Sequence, residues 1–170
     1  LPPFAFWKPE DWRNKGPECN EIREAALGWD VTDFGSGDFF QTGLLLFTLR
    51  NGKPDAPAQS KSYCEKVMIT REHQVTPLHC HWNKREDIIN RAGASLAMQI
   101  FAADPEDKTQ ITDEKIEISK DGEKEILEAG TTVILERGSS ITLEPLVYHK
   151  FWAEGGTVLT GEVSEVNDDT

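Results

Sequence analysis

The residues best suited to chemistry lie in the stretch TPLHCHWNKREDIINRAG, at positions 76–93. It contains His79 and His81, two of the four histidines of the chain, and shortly after them Glu86. If His79 to His81 is extended, the two-residue period of a strand places both imidazoles on one face and Cys80 on the other. Two imidazoles and a carboxylate suit a divalent transition metal, whereas Cys80 is expected to be a buried apolar residue. The alternative is two unrelated surface histidines.

A second candidate group lies in PLVYHKFWAEGGTVLTGEVS, near the end of the chain. We interpret Gly155-Gly156 as the two-residue loop of a hairpin. Counting outward from this loop places His149 opposite Glu162, and directly opposed residues project to the same face. A bulge or a different loop length would break this register. The pattern therefore predicts a wall of the fold on which a histidine and a carboxylate are neighbours, as functional sites often require.

The elements that must position these residues are predicted to be mainly short strands. A single helix is expected in PECNEIREAALGWD, between Pro17 and Gly28. After about Gly43, segments rich in β-branched or aromatic residues alternate with turn signals such as Asn51-Gly52. The predicted strands are GLLLFTLR, SYCEKVMIT, ASLAMQIFA, EKIEIS, TTVILE, SITLEP, YHKFWAE and TVLTGEVS. Strands without intervening helices predict an all-β sandwich or barrel, with NGKPDAPAQS as a loop.

The composition excludes several classes of partner. The 170 residues suffice for one domain with a hydrophobic core. A net charge of -12 disfavours nucleic-acid phosphates and anionic lipid, so we expect a small-molecule ligand, with no nucleic acid and no membrane. Three cysteines without a CxxC pair indicate a reducing, cytoplasmic setting. The chain lacks an initiator Met and ends at VNDDT, so we expect it to be a piece of a longer protein.

The histidine motifs resemble those of the cupin superfamily. HCHWNKREDIINRAG matches the first metal motif with His79, His81 and Glu86, and YHKFW matches the second with His149. The second motif departs from the usual pattern, because residues 145–148 contain no glycine before His149. More narrowly, LPPFAFWKPEDW, HWNKREDIINR and GEVSEVNDD together resemble the bacterial D-lyxose isomerase family, from one end of the chain to the other.

This resemblance implies one cupin-type β-barrel domain over residues 1–170, a double-stranded β-helix or jelly roll. A short N-terminal helical and loop segment would cover residues 1–42, and the barrel core residues 43–166. The implied activity is that of an aldose-ketose isomerase, which interconverts D-lyxose with D-xylulose and D-mannose with D-fructose. Manganese is the implied divalent metal, with Co²⁺, Zn²⁺ or Fe²⁺ as alternatives, and the family's members are homodimers.

The resemblance and the chemistry together assign roles to the candidate residues. The expected metal ligands are His79, His81, Glu86 and His149. Isomerisation through an ene-diol needs a proton-transfer group and a donor to the developing oxyanion, for which we expect Glu162 and Lys84. Both are also expected to touch the sugar. Trp82 and Asp168 are the further candidates for substrate binding.

Several of these assignments have alternatives. Glu86 could be the base and not a ligand, and Lys84 could form a solvated pair with Arg85. Asp168 could belong to a frayed acidic end. Large aromatic residues such as Trp82 are more often core or interface than sugar platforms. The remaining candidates are Trp152 for stacking, Arg91 and Gln99 for polar contacts, and His73 for a structural turn.

Two other functional classes are compatible with the same metal-binding barrel. It could be a dioxygenase that uses iron and consumes O₂. It could also be a non-catalytic module in which the metal only holds a sugar. The combination of Lys84 and Glu162 around the histidines favours an isomerase, because a binding site has less need of a titratable base.

Overall fold

The computed structural model describes residues 1–53 and 60–166. Short helices occupy the N-terminal region: 3-10 turns at Pro3–Phe6 and Pro17–Cys19, α1 at Pro9–Trp12 and α2 at Asn20–Glu24. The strands of the described residues are β1 (Gly28–Thr32), β2 (Leu44–Arg50), β3 (Tyr63–Thr70), β4 (Val75–His79), β5 (Glu86–Ala103), β6 (Ile111–Thr112), β7 (Ile116–Lys120), β8 (Glu123–Leu127), β9 (Thr132–Leu135), β10 (Ser140–Leu143) and β11 (Val147–Glu165). The predicted all-β class is confirmed.

Two long strands, β5 and β11, organise the fold. They run antiparallel along their whole length, from Val147 paired with Ala102 to Ser164 paired with Glu86. The second half of β11 continues through β3 and β2 to β1, and the first half of β5 continues through β10 and β7 to β8. The first half of β11 pairs with β4, and the second half of β5 with β9 and β6. The result is the expected cupin-type barrel, with a hydrogen-bonded sheet that does not close.

The strand β11 passes through Gly155-Gly156 without ending, so the predicted hairpin is wrong. Between the pairs Glu154-Ser95 and Val158-Gly93, β11 advances four residues while β5 advances two. The extra residues form a bulge, which bends a strand and increases its twist. Gly93, with φ of 98°, allows the close approach, since a Cβ there would lie 2.2 Å from the carbonyl oxygen of Thr157.

The predicted pairing of His149 with Glu162 is therefore wrong as well. His149 lies opposite His79 on β4, and Glu162 lies opposite Lys66 on β3. Both side chains nevertheless face the same cavity, because the bulge folds the two halves of β11 into different walls. The expected proximity arises from a bend of the barrel and not from a hairpin ladder.

The N-terminal region is less helical than the sequence predicts. The helix expected between Pro17 and Gly28 is reduced to a 3-10 turn and the five residues of α2. Ala26 and Gly28 have φ of 50° and 128°, and these left-handed conformations turn the chain into β1. Residues 1–42 thus contribute a strand to the sheet in addition to helices and loops.

The hydrophobic core fills the space between the strands. It consists of Met68, Ile88, Leu96, Met98, Ile100, Ile116, Ile118, Val133, Leu135, Ile141, Leu143, Phe151, Ala153 and Val158. Other inward positions of β5 and β11 carry Glu86, His149 and Glu162, which an apolar core cannot accommodate without polar partners. None of the helices found in residues 1–53 and 60–166 has the length and apolar character to cross a membrane.

Candidate active site

A cavity of about 230 Å³ lies inside the barrel. Its polar lining residues are Asp30, Thr32, Lys66, Thr76, His79, His81, Lys84, Glu86, His149 and Glu162. Its apolar lining residues are Phe34, Leu44, Leu46, Met68 and Phe151. The structure therefore brings together all four expected metal ligands and both residues that were expected to carry the proton chemistry.

The three imidazoles of His79, His81 and His149 form what we call the histidine cluster. One ring nitrogen from each lies within 4.8 Å of the others. The ring centroids of His79 and His149, which face each other across β4 and β11, are 4.2 Å apart. His81 lies just beyond the end of β4, and its ring centroid is 5.3 Å from that of His79. Two separate sequence motifs thus meet at one point.

Backbone contacts fix the orientation of two of these rings. The Nδ1 atom of His79 lies 2.8 Å from the carbonyl oxygen of Pro77, and that of His149 lies 3.1 Å from the carbonyl oxygen of Val147. A carbonyl oxygen only accepts hydrogen bonds, so each Nδ1 must carry the hydrogen. The Nε2 lone pairs of both rings remain available, which is the arrangement usual for metal-binding histidines.

Burial favours the neutral form of His79 and His81. Loss of hydration, followed by the charge of His149, lowers the pKa of His79 to about 3. Burial also lowers the pKa of His81, although the carboxylate of Glu86 acts in the opposite direction. Since neutral imidazole is the form that binds metals, His79 and His81 are prepared for a cation across the physiological pH range.

The position of the Glu86 carboxylate indicates whether a metal ion fits among the three histidines. Its Oε1 lies 3.2 Å from Nε2 of His149, and its Oε2 lies 3.4 Å from Nε2 of His81. Because Nδ1 of His149 carries its hydrogen, a lone pair on Nε2 would face a carboxylate oxygen unless a positive charge lay between them. A proton or a metal ion can supply that charge. Three imidazoles and one carboxylate fit a divalent transition metal.

Glu86 also borders a second group, the lysine-carboxylate cluster, which consists of Lys66, Lys84 and Glu162. The Nζ atom of Lys84 lies 3.0 Å from Oε2 of Glu86 and 2.9 Å from Oε1 of Glu162. Lys66 approaches the same Oε1 at 3.3 Å, and the hydroxyl of Ser164 approaches it at 3.0 Å. All three members of the cluster are at least 94% buried. Lys84 is thus a buried bridge between carboxylates and not half of a solvated pair.

The protonation states follow from these contacts. Burial alone would lower the pKa of Lys84, but the carboxylates of Glu162 and Glu86 raise it above its ordinary value. Burial alone would raise the pKa of Glu86, but His149, Lys84 and His81 hold it well below its ordinary range. Lys84 is therefore a charged hydrogen-bond donor, and Glu86 is a poor base. This asymmetry supports the ligand role for Glu86.

Lys66 is a site residue that the sequence reasoning missed. The alternation of β3 places Cys64, Lys66, Met68 and Thr70 on one buried face. A lysine on a face that otherwise carries small or apolar residues was the available signal, because such a charge must find a partner inside the barrel. Its partner Glu162 lies directly opposite in the β3-β11 ladder.

β1 supplies a further part of the wall that the sequence did not predict. Asp30 pairs with Leu46 and Thr32 with Leu44, so these four side chains share the face of the sheet that borders the cavity. Phe34 follows β1 with φ of 54° and also lines the cavity. The segment had been expected to form helix or loop, so no register was available to orient it.

Two of the expected substrate contacts are not among these lining residues. Trp82 is 50% exposed, because the turn that carries it directs His81 and Lys84 inward and leaves the indole in solvent. The expected sugar contact of Trp82 therefore receives no support. Asp168 lies outside the described residues.

The remaining candidates face away from the cavity. Trp152 donates its Nε1 hydrogen to Glu154, and Gln99 donates to the carbonyl oxygen of Gly130. Arg91 is exposed on β5. His73 occupies an exposed turn with φ of 60°. Cys80 is half-buried and contacts the hydroxyl of Tyr148, on the side away from the histidine cluster.

Leu146 explains how the second motif works without glycine. Its φ of 67° is a left-handed conformation that favours glycine. Two backbone hydrogen bonds hold it: its N–H donates to the carbonyl oxygen of His81, and its carbonyl accepts from the N–H of Ala103. The first of these bonds ties the two histidine motifs together. Strain of this kind persists where surrounding contacts fix the backbone, often near functional sites.

A family model described as D-lyxose isomerase matches residues 1–170. The chain is 47% identical to the D-lyxose/D-mannose isomerase of Serratia proteamaculans, over 99% of this chain and 75% of that protein. The D-lyxose/D-mannose isomerase of Escherichia coli O157:H7 gives the same identity and coverage. The chain belongs to the D-lyxose isomerase family. Its reaction class is therefore aldose-ketose isomerisation, as the motifs predicted.

Similar solved structures include L-ribose isomerases. That of Cellulomonas parahominis without ligand has a TM-score of 0.54 and 14% identity, covering 95% of this chain and 79% of that chain. That of Acinetobacter sp. DL28 in complex with L-ribose has a TM-score of 0.53 and 13% identity. The match to the Acinetobacter structure covers 79% of this chain and 65% of the Acinetobacter chain. At these identities the likeness concerns the fold.

Proposed function

We propose that this chain interconverts D-lyxose with D-xylulose and D-mannose with D-fructose, through an ene-diol formed beside a divalent metal. Membership of the D-lyxose isomerase family supports the reaction class. One observation supports the site: a buried lysine, Lys84, bridges Glu162 to Glu86, which in turn contacts the histidine cluster. A proton-transfer pair thus borders a metal-binding group inside one cavity.

The proposed ligands are His79, His81, Glu86 and His149. Their nitrogen and oxygen donors suit manganese, and also cobalt, zinc or iron, so the choice of manganese rests on the family resemblance. When bound, the metal supplies Lewis-acid polarisation of the sugar carbonyl and of the neighbouring hydroxyl oxygen. The resemblance also supports a homodimer, for which sedimentation equilibrium should give twice the chain mass.

Glu162 is proposed to transfer the proton. Its carboxylate removes the proton from C2 of the open-chain aldose and returns it to C1, while the O2 hydroxyl proton moves to O1. Lys84 donates a hydrogen bond to O1 as that oxygen gains negative charge, which stabilises the ene-diol step. Among the described residues, Lys84, Lys66 and Ser164 all approach Oε1 of Glu162, and this leaves Oε2 to take the proton.

The test is ketose formation from D-lyxose and D-mannose in deuterated water, after chelation and reconstitution with manganese. We expect ketose only with metal, with deuterium at C1 and no O₂ consumption. Glu162→Gln should lower kcat by about 10²–10⁴-fold, the usual contribution of general acid-base catalysis. Glu165→Gln is the matched control, because Glu165 lies on the same strand but is exposed and contacts the backbone of Arg85.

Each alternative predicts a different result. A dioxygenase would consume O₂ with iron and would not incorporate deuterium without oxidation. A binding module would bind sugar and metal but form no ketose. Near-normal turnover by Glu162→Gln would reject Glu162 as the proton-transfer group while leaving the reaction class intact.

A further inference from the structure

The strand β4 carries an irregularity next to the histidine cluster. Thr76 lies opposite Phe151, and His79 lies opposite His149, so β4 advances three residues while β11 advances two. Residues three apart on a regular strand point to opposite faces. Here both Thr76 and His79 line the cavity, because the bulge turns one of them to the inner face. Bulges beside active sites commonly re-aim a side chain in this way.

The hydroxyl group of Thr76 lacks a hydrogen-bond partner. The residue is 1% exposed, and within residues 1–53 and 60–166 no atom pairs with its Oγ1. Its neighbours in the cavity wall include the apolar side chains of Leu44 and Phe151. Leaving such a group unpaired is unfavourable, so a buried orphan hydroxyl needs an explanation. Rotation about χ1 from one staggered rotamer to another can place the hydroxyl where the methyl group lay, which re-aims the hydroxyl without backbone movement.

We propose that Thr76 determines substrate specificity by hydrogen bonding to a hydroxyl on the non-reacting carbons of the open-chain sugar, from C3 onward. This inference rests on the proposed function, which places C1 and C2 beside Lys84 and Glu162. The apolar neighbours Leu44 and Phe151 offer nothing to a hydroxyl of the opposite configuration, so the wall discriminates between epimers. A site built to bond a hydroxyl rejects the analogue that lacks it, because its own polar group is then left unpaired.

Two other threonines provide an internal comparison. Thr70 and Thr160 are also buried, and their hydroxyls have no partner among the described residues, but neither lines the cavity. Thr70 follows Met68 by two residues on the inner face of β3. Thr70→Val therefore removes an orphan hydroxyl from the same barrel without touching the sugar. It is the matched control for Thr76→Val.

The test compares D-mannose with its 3-deoxy, 4-deoxy, 5-deoxy and 6-deoxy analogues. For the wild type, kcat/KM should fall about tenfold with one of these analogues, the size of a typical hydrogen bond. Thr76→Val should lower kcat/KM about tenfold with D-mannose. It should cause no further loss with the analogue that lacks the contacted hydroxyl. Thr76→Ser should restore the wild-type pattern, and Thr70→Val should keep it. Equal losses with every sugar, or no loss in Thr76→Val, would overturn the proposal.

A binding measurement separates this proposal from the proposed function. D-Mannose and the same analogues are titrated by calorimetry into metal-loaded Glu162→Gln protein, with and without Thr76→Val. The same non-additive loss should appear in Kd, even if no ketose forms under any condition. Absence of ketose together with this pattern would reject the isomerase and keep the Thr76 contact. The contact would be rejected if no sugar binds, or if Thr76→Val leaves the Kd of every sugar unchanged.

Discussion

The histidine cluster and the lysine-carboxylate cluster share one cavity but are stabilised in different ways. Burial favours the neutral form of His79 and His81, and backbone carbonyls orient the rings of His79 and His149. Lys66, Lys84 and Glu162 come from β3, a loop and β11, and ion pairs with one another and with Glu86 accompany their burial. Glu86 belongs to both environments, since it contacts two histidines and one lysine.

The difference between the two clusters matches their proposed roles, which are metal binding for the histidine cluster and proton transfer for the lysine-carboxylate cluster. Neutral imidazoles can be kept in a barrel at low cost and become useful when a cation arrives. Buried charges are unfavourable in the absence of compensation, and even a paired set often stabilises a fold less than apolar residues would. The proposed proton transfer by Glu162 would give these buried charges a role other than stability. Variants of the histidine cluster should therefore lose metal binding, whereas variants of the lysine-carboxylate cluster should lose stability.

Loss of the metal should produce the largest change in activity. Chelation, or His81→Gln, should lower ketose formation by about 10³-fold or more, because several kcal/mol of Lewis-acid stabilisation disappear. The folded state should persist, since burial favours the neutral form of His79 and His81 without metal, but the increase in Tm on adding manganese should vanish in His81→Gln. His73→Gln is the control, because His73 is exposed in a turn. Activity that survives complete chelation would contradict the assignment.

Removing the buried cation should instead destabilise the fold. Lys84→Met leaves Glu86 and Glu162 facing each other without Lys84 between them, and breaking a buried pair in this way costs about 3–5 kcal/mol. Denaturant unfolding at pH 7 measures this. The same substitution at Lys124, whose ion pair with Glu117 is exposed, should change stability by less than about 1 kcal/mol. Equal losses of stability at Lys84 and Lys124 would show that removing a cation from the buried cluster costs no more than removing one from the surface.

The pH dependence of the Lys84→Met variant follows from the direction of the shifts. In the wild type the pKa of Glu86 is lowered, so its contribution to stability is present above the unfolded pKa and is lost as pH falls. In Lys84→Met the carboxylate of Glu86 loses one of the cations that lower its pKa, so its folded-state pKa rises. The deficit relative to wild type should then shrink as pH falls from 7 towards 4. A deficit independent of pH would indicate lost packing and not lost charge.

Two cysteines report on the two clusters. Cys64 lies beside Lys66 and Glu162 on the buried face of β3, and burial raises the pKa of its thiol to about 11. Cys80 lies between His79 and His81 in the sequence, but its side chain is on the opposite side and is half-buried. Because thiolate is the reactive form and Cys64 is fully buried, alkylation of native Cys64 at pH 8 should be slower than that of the half-buried Cys80, although burial raises the pKa of Cys80 as well. Cys80→Ser assigns the fast phase, and rapid labelling of Cys64 would show that water enters the lysine-carboxylate cluster.

The same contrast explains what could be predicted from the sequence. The histidine cluster was predictable because two short motifs carry its residues and because a strand's period determines which residues share a face. Lys66, Thr76 and Asp30 were not predicted, since their positions depend on a bulge, on the path of β1 and on ladders between distant strands. The proximity of His149 and Glu162 was expected for the wrong reason. A Gly-Gly pair permits both a hairpin and a bend, and only tertiary packing selects between them.

The smallest expected effect concerns the aromatic residues near the cavity. Trp82 is 50% exposed and lies outside the cavity wall, so Trp82→Ala should change kcat/KM for D-lyxose by less than about twofold, as for most surface substitutions. Phe34 lines the cavity, and Phe34→Ala should raise KM by about 2–10-fold, because an aromatic contact contributes about 0.5–1.5 kcal/mol. The reverse ranking would mean that Trp82 moves over the bound sugar, and that the cavity wall is extended by the turn that carries the first motif. Tryptophan fluorescence distinguishes the two cases. If Trp82 stays in solvent, any change in fluorescence on adding sugar should be the same in Trp82→Ala as in the wild type. If Trp82 moves over the sugar, Trp82→Ala should lose that change.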